Sequence, residues 1–257
     1  MSEIARWPYV ATELRRPGVR GQVGRSLIES CGYPGGAKMV FNDKLLFIHV
    51  PKTGGIAVTR FLIDNTRGAV TISVPPGHPS AGPKVKEIAG TRHERLHEAA
   101  GLLATFGRKL EEFETVISVM RNPYDLEVSY FHQKQKAKPW ERGRAKDFAT
   151  AGDFLEFVRH APFNSRLPVH IEDWYEIDGA APGNLRVLRF ENIEQELYAA
   201  VSPTIPITRK LQKLNVSDRP SYGEFLNPAV EEAIYRKYQW VFDRGFYPRE
   251  LTAQSHA

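Results

Sequence analysis

Residues 45–62, read L-L-F-I-H-V-P-K-T-G-G-I-A-V-T-R-F-L, constrain what this chain can fold into more than any other stretch. An apolar, β-branched run over 45–50 has the length and continuity of a buried strand, and Pro51 stops it. Lys52-Thr53-Gly54-Gly55 follows, and then Val58, Phe61 and Leu62 fall at i, i+3, i+4 on one helical face. A buried strand that feeds a glycine loop and then a helix N-terminus is suited to hold a phosphate-like anion. The first-turn N–H groups have no intrahelical acceptor, and glycines let a ligand approach the backbone closely. Lys52 adds a positive charge at the mouth of this loop. The common nucleotide loop G-x-x-x-x-G-K-[ST] is absent, because here the lysine precedes the glycines.

Further runs at 116–120 and 185–188 read as buried strands, and V-T-I-S-V at 70–74 offers a fourth. Continuous apolar strands of this length fit a parallel sheet covered on both faces. Helical patterns lie between them. Leu96, Ala99, Ala100 and Leu103 make one apolar stripe, and Asn122-Pro123 and Asn227-Pro228 are strong helix starts. The second precedes a helix over 230–242 that Gly245 can end. Residues 75–83, P-P-G-H-P-S-A-G-P, read as a loop able to move over a site. Residues 1–43 carry Arg, Pro and Gly without periodicity and read as an N-terminal extension. The remainder, 44–250, reads as a single α/β domain with a central parallel sheet flanked by helices.

A net charge of +5 suits an anionic ligand, but without a basic motif it does not point to nucleic acid. Cys31 is the single cysteine, which excludes an intramolecular disulfide and fits a reducing compartment. With no signal-type apolar core and no apolar run long enough to span a bilayer, the expectation is a cytoplasmic protein without a transmembrane segment. Oligomeric state is not legible.

The segment 116–133, V-I-S-V-M-R-N-P-Y-D-L-E-V-S-Y-F-H-Q, supplies a second strand end and helix start. Asn122, Asp125, Ser129 and His132 fall at i, i+3, i+7, i+10 and form one polar face. Arg121 at the strand end and Ser129 on that face can reach a single phosphate, the planar guanidinium fork being suited to bidentate binding.

P-K-T-G-G followed by R-N-P-Y-D and a serine resembles the paired donor-binding motifs of sulfotransferases, which take a sulfuryl group from 3′-phosphoadenosine 5′-phosphosulfate (PAPS). V-L-R-F-E-N-I at 187–193 and the stretch from K-L-N-V-S-D-R-P-S-Y through Tyr247 are similar to later parts of the carbohydrate-type family, so the resemblance covers about 200 residues. It implies a P-loop-NTPase-like fold. It also implies that Lys52, Thr53, Gly54, Gly55, Ile56 and Ala57 bind the 5′-phosphosulfate, and that Arg121 and Ser129 bind the 3′-phosphate, with Ser217 and Arg219 closing over it. The acceptor it implies is a hydroxyl on a sugar, glycolipid or small metabolite. Ile56 and Ala57 stand where the family often has hydroxyls, so backbone N–H groups carry more of the contact here, with Thr53 or Thr59 as substitutes. Leu126 stands where the family often has a basic residue.

Sulfuryl transfer needs a base for the acceptor proton and stabilisation of the leaving phosphate. Lys52 serves the second task, and His93 is the candidate for the first, by its interval before Arg121 in the resembling family. His78 and His132 are reserves, and His49 reads as a buried, hydrogen-bonded strand residue. His93-Glu94-Arg95-Leu96-His97 formally matches the zinc motif H-E-x-x-H. Arg95 inside it and the missing third ligand pattern argue for coincidence, and no metal is expected. A zinc hydrolase and a non-catalytic PAPS-binding module are the rival readings. Lys134, Lys136, Lys138, Arg142, Arg144 and Lys146 around Trp140 read as a solvated face or a guide for an anionic or sugar acceptor.

Overall fold

The computed structural model describes residues 39–75, 83–91, 93–136, 153–163, 170–214 and 220–249. Six strands form one sheet: β1 Met39–Phe41, β2 Leu45–Ile48, β3 Val70–Val74, β4 Val85–Ala89, β5 Thr115–Met120 and β6 Leu185–Arg189, in the order β4-β3-β1-β2-β5-β6. β2, β5 and β6 pair in parallel, as do β3 and β4. The sheet is not wholly parallel, because β1 runs antiparallel to both β2 and β3. The reason is local. Asn42 Oδ1 accepts from the N–H groups of Lys44 and Leu45 at 2.9 and 2.8 Å, closing a tight turn that folds β1 back onto β2. Met39–Phe41 is thus a buried inner strand, and the sheet begins before residue 44, where the sequence reading opens the domain.

The helices are α1 Gly55–Asn65, α2 Leu96–Ala104, α3 Pro123–Lys136, α4 Phe154–His160, α5 Ile193–Val201, α6 Pro228–Lys237 and α7 Gln239–Asp243. Alternation along the strands sends side chains to two cores. Leu46, Ile48, Val116 and Met120 pack with α2, α3, α4, α6 and α7. Leu45, Phe47, Ile117 and Val119 pack with α1 and α5 on the other face. Both faces of the inner strands are therefore covered, which explains their continuous apolar sequence.

Asn227 Oδ1 accepts from the Ala229 and Val230 N–H groups at 3.0 Å and starts α6, while Gly245 at φ 70° follows α7. The single helix expected over 230–242 is broken at Tyr238. That residue leaves helical geometry and places its buried hydroxyl on Glu127 of α3, where Lys237 also pairs at 2.9 Å. This buried junction fixes α3, which carries Asp125 and Ser129, against α6. Among the described residues, no helix is long and apolar enough to cross a membrane.

Candidate active site

The carboxyl ends of three adjacent parallel strands converge. β2 delivers the 51–55 loop, β5 delivers Arg121 and β6 delivers Phe190. In open α/β sheets this edge is where ligands bind.

Lys52 takes φ 66° and Gly54 takes φ 77°, so two left-handed residues bracket Thr53 and turn the chain into α1. Thr53 is buried, and its hydroxyl donates to the Val50 carbonyl at 2.9 Å, so its side chain staples the loop. Gly54 is the N-cap of α1, with no side-chain cap. Its carbonyl accepts from Ala57 N–H at 2.9 Å, leaving the Gly55 and Ile56 N–H groups as the donors of an uncapped helix N-terminus. A Cβ on Gly54 would stand 3.0 Å from the Phe190 ring. The Thr59 hydroxyl, one turn on, is buried without a hydrogen-bond partner. A helix dipole, first-turn N–H groups and Lys52 together favour an anion of phosphate type.

Arg121 is 8% exposed. Its Nε and Nη2 lie 2.6 Å from Asp125 Oδ2, and its Nη1 donates to the Lys52 carbonyl at 2.9 Å and to Ser129 Oγ at 3.3 Å. The Phe190 ring covers the guanidinium at 4.3 Å. Asn122 Oδ1 accepts from Tyr124 N–H at 2.9 Å and starts α3. Behind this, Glu191 accepts from Asn122 N–H at 3.0 Å and from the Tyr247 hydroxyl at 2.6 Å, which ties the ends of β5 and β6 together. Burial first, then the Glu191 carboxylate, pushes the Tyr247 phenol well up, so it stays protonated as a donor.

His93 arrives from the far edge, after β4. Its ring stands edge-on to the His49 ring with centroids 5.0 Å apart, and its Nδ1 lies 3.4 Å from the His49 carbonyl. His49 is 5% exposed at the end of β2 and also stacks on Phe47. Its imidazole fills the space that a Cβ on Gly55 would need. Through His49, then, His93 is joined to the first residue of α1. Glu94 anchors the turn: it is 3% exposed and accepts from Thr91 N–H at 2.6 Å. Burial raises its pKa above the ordinary carboxylate value, partly opposed by hydrogen bonds including one from Ser73. A Cβ on Gly90 would meet Glu94 Oε1 at 2.5 Å, so glycine makes room for this carboxylate.

The same geometry disposes of H-E-x-x-H as a helical zinc motif. α2 begins at Leu96 with Arg95 as its N-cap, so His93 precedes the helix and His97 lies within its first turn. The two rings do not share a helical face, and Glu94 is buried beneath Thr91. No group of three His, Cys, Asp or Glu side chains able to hold a metal occurs among the described residues.

His132 lies away from this convergence, edge-on to Phe225 at 5.7 Å. Ser217, Arg219, His78, Cys31 and the basic residues from Lys138 to Lys146 with Trp140 lie outside the described residues. Phe190 is the site residue that sequence reasoning missed as an individual. Its signal was present in R-F-E-N, immediately after a strand expected to end at this sheet edge.

The fold and site form an α/β domain in which an uncapped strand–loop–helix turn carrying Lys52 stands beside Arg121 at the neighbouring strand end, an arrangement suited to anionic groups. Residues 110–203, just over a third of the chain, match the family model of the sulfotransferase domain. Members of that family are PAPS-dependent enzymes that move a sulfuryl group to an acceptor hydroxyl, and this stretch of the chain is similar to them. The matched stretch contains Arg121, Ser129 and Phe190, and the structure adds the 51–55 loop beside them. No curated protein matches the chain.

Proposed function

We propose that the chain transfers the sulfuryl group of PAPS to a hydroxyl on a sugar, glycolipid or hydroxylated small metabolite, as in the carbohydrate-type branch, with His93 as base. The observation that carries this reading is the contact between Arg121 and the Lys52 carbonyl, because it brings the two anion-binding elements into one site. The residues fit the donor. An uncapped helix N-terminus, the left-handed Gly54 and the buried unpartnered Thr59 hydroxyl suit a 5′-phosphosulfate at Lys52 to Ala57. A guanidinium and a hydroxyl sharing one point suit a 3′-phosphate at Arg121 and Ser129.

When bound, PAPS supplies the activated sulfuryl group. The backbone N–H groups of Gly55 and Ile56 orient its anionic end, and the Lys52 ammonium stabilises charge gathering on the leaving oxygen. A carbonyl only accepts, so the His49 carbonyl selects the His93 tautomer with the proton on Nδ1 and leaves Nε2 basic. Nε2 then takes the acceptor proton.

The test is labelled sulfate transfer from PAPS to a panel of sugars, glycolipids and hydroxylated metabolites. His93→Ala is expected to lower kcat by about 10²–10⁴-fold with donor KM nearly unchanged. Wild-type-like turnover in that variant removes His93 as the base. Saturable PAPS binding with no transfer to any acceptor removes this acceptor range.

A further inference from the structure

We propose that Arg121 has a second role beyond contacting an anion: it holds the Lys52 backbone in its left-handed conformation, with Asp125 as the positioning residue that fixes the guanidinium. The two ends of the donor site then behave as one mechanical unit. This rests on the donor-site reading above and concerns how that site is kept in shape.

Lys52 carries a Cβ at φ 66°, a conformation that such residues adopt only where their surroundings hold them. The loop residue itself cannot supply that restraint. Its carbonyl is held across 69 positions of sequence, by Arg121 Nη1 at 2.9 Å. The donor is unusually well fixed. Asp125 Oδ2 lies 2.6 Å from both Nε and Nη2, Phe190 lies against the guanidinium at 4.3 Å, and Arg121 is 8% exposed. Phe190 also stands where a Cβ on Gly54 would reach, so the same ring bears on the far side of the loop.

The Nη1 that holds Lys52 also approaches Ser129 Oγ at 3.3 Å. An anion docked on Arg121 and Ser129 acts on the very nitrogen that positions the loop. Occupancy of the 3′ end and geometry of the 5′ end are therefore coupled, and by linkage the coupling is reciprocal. Ser129 touches only the 3′ side. That difference separates the two roles of Arg121.

The experiment measures Kd by calorimetry for two ligands on the full chain. PAPS engages both ends, and adenosine 5′-phosphosulfate lacks the 3′-phosphate. Arg121→Lys keeps a positive charge but cannot donate to Lys52, Asp125 and Ser129 together. It is expected to weaken adenosine 5′-phosphosulfate about tenfold. Asp125→Asn is expected to weaken it several-fold, and it carries the test if the arginine variant does not fold. Ser129→Ala is expected to weaken PAPS while leaving adenosine 5′-phosphosulfate within about twofold. Unchanged adenosine 5′-phosphosulfate affinity in both Arg121→Lys and Asp125→Asn overturns the proposal and leaves Arg121 a 3′-phosphate contact alone. Equal affinity of the wild type for the two ligands, unaltered by Ser129→Ala, overturns the donor-site reading and this proposal with it.

Discussion

Gly55→Ala is a substitution whose sign isolates one close approach in the site. Gly55 is the first residue of α1, and its φ is not in the left-handed region, so alanine is conformationally welcome. In an open helix the change stabilises by about 0.5–1 kcal/mol. Here the new methyl would fall inside the His49 imidazole, against Cγ, Cδ2 and Nε2. That ring has little room to yield, being 5% exposed and packed on both Phe47 and His93. Overpacking of this kind costs about 1–3 kcal/mol, and the overlap points to the upper end, so the net loss should be about 2 kcal/mol. Gly101, exposed within α2 and with nothing within 4 Å of its missing Cβ, is the internal control. Gly101→Ala should stabilise by about 0.5 kcal/mol or more. Urea denaturation of both variants, with Gly55→Ala repeated in a His49→Ala background, completes the measurement. Removing the ring should turn the Gly55→Ala effect favourable and give a coupling of about 2–3 kcal/mol. A Gly55→Ala protein as stable as Gly101→Ala would refute the packing argument, and with it the link from α1 to His93.

Two further outcomes follow from the site. Lys52→Ala should lower sulfate transfer by at least about 10²-fold, with most of the loss in kcat; near-normal turnover would show that the leaving phosphate is stabilised elsewhere. Glu94 has its pKa raised by burial above the ordinary 4.5, so the folded state binds its proton more tightly than the unfolded chain. Its contribution to stability is full below the unfolded value and is lost as pH rises through the folded one. Glu94→Gln, fixed in a neutral form, should gain stability relative to wild type as pH rises above the ordinary value of 4.5, measured by thermal melting across that range. A constant difference across that range would mean the carboxylate is not strained by burial.

Much of this architecture is written in local pattern. The strands at 70–74 and 185–188, the α1 stripe and the two Asn-Pro helix starts are decided by periodicity and capping chemistry within a few residues. What escaped the sequence depends on distant partners. Met39–Phe41 is three residues long and follows an Arg-, Pro- and Gly-bearing stretch, so only its pairing to β2 and β3 defines it. Val85–Ala89 mixes charges among its apolar residues because it lies at the sheet edge. The break at Tyr238 is set by Glu127, more than a hundred residues away. In the site, the Lys52 and Arg121 motifs are legible by type and order, yet their joining through a backbone carbonyl is not. Equally, the sequence shows two histidines at i, i+4 from His93, but only the helix start at Leu96 separates them.

Binding of adenosine 3′,5′-bisphosphate, the donor's nucleotide product, tests the central claim of a donor site with two anion-binding ends most directly. Calorimetric titration of the wild type should give one site per chain, and Arg121→Ala should weaken it at least about tenfold, as loss of a charge-assisted contact implies. Absence of binding to the wild type, or equal affinity in the variant, would contradict the account.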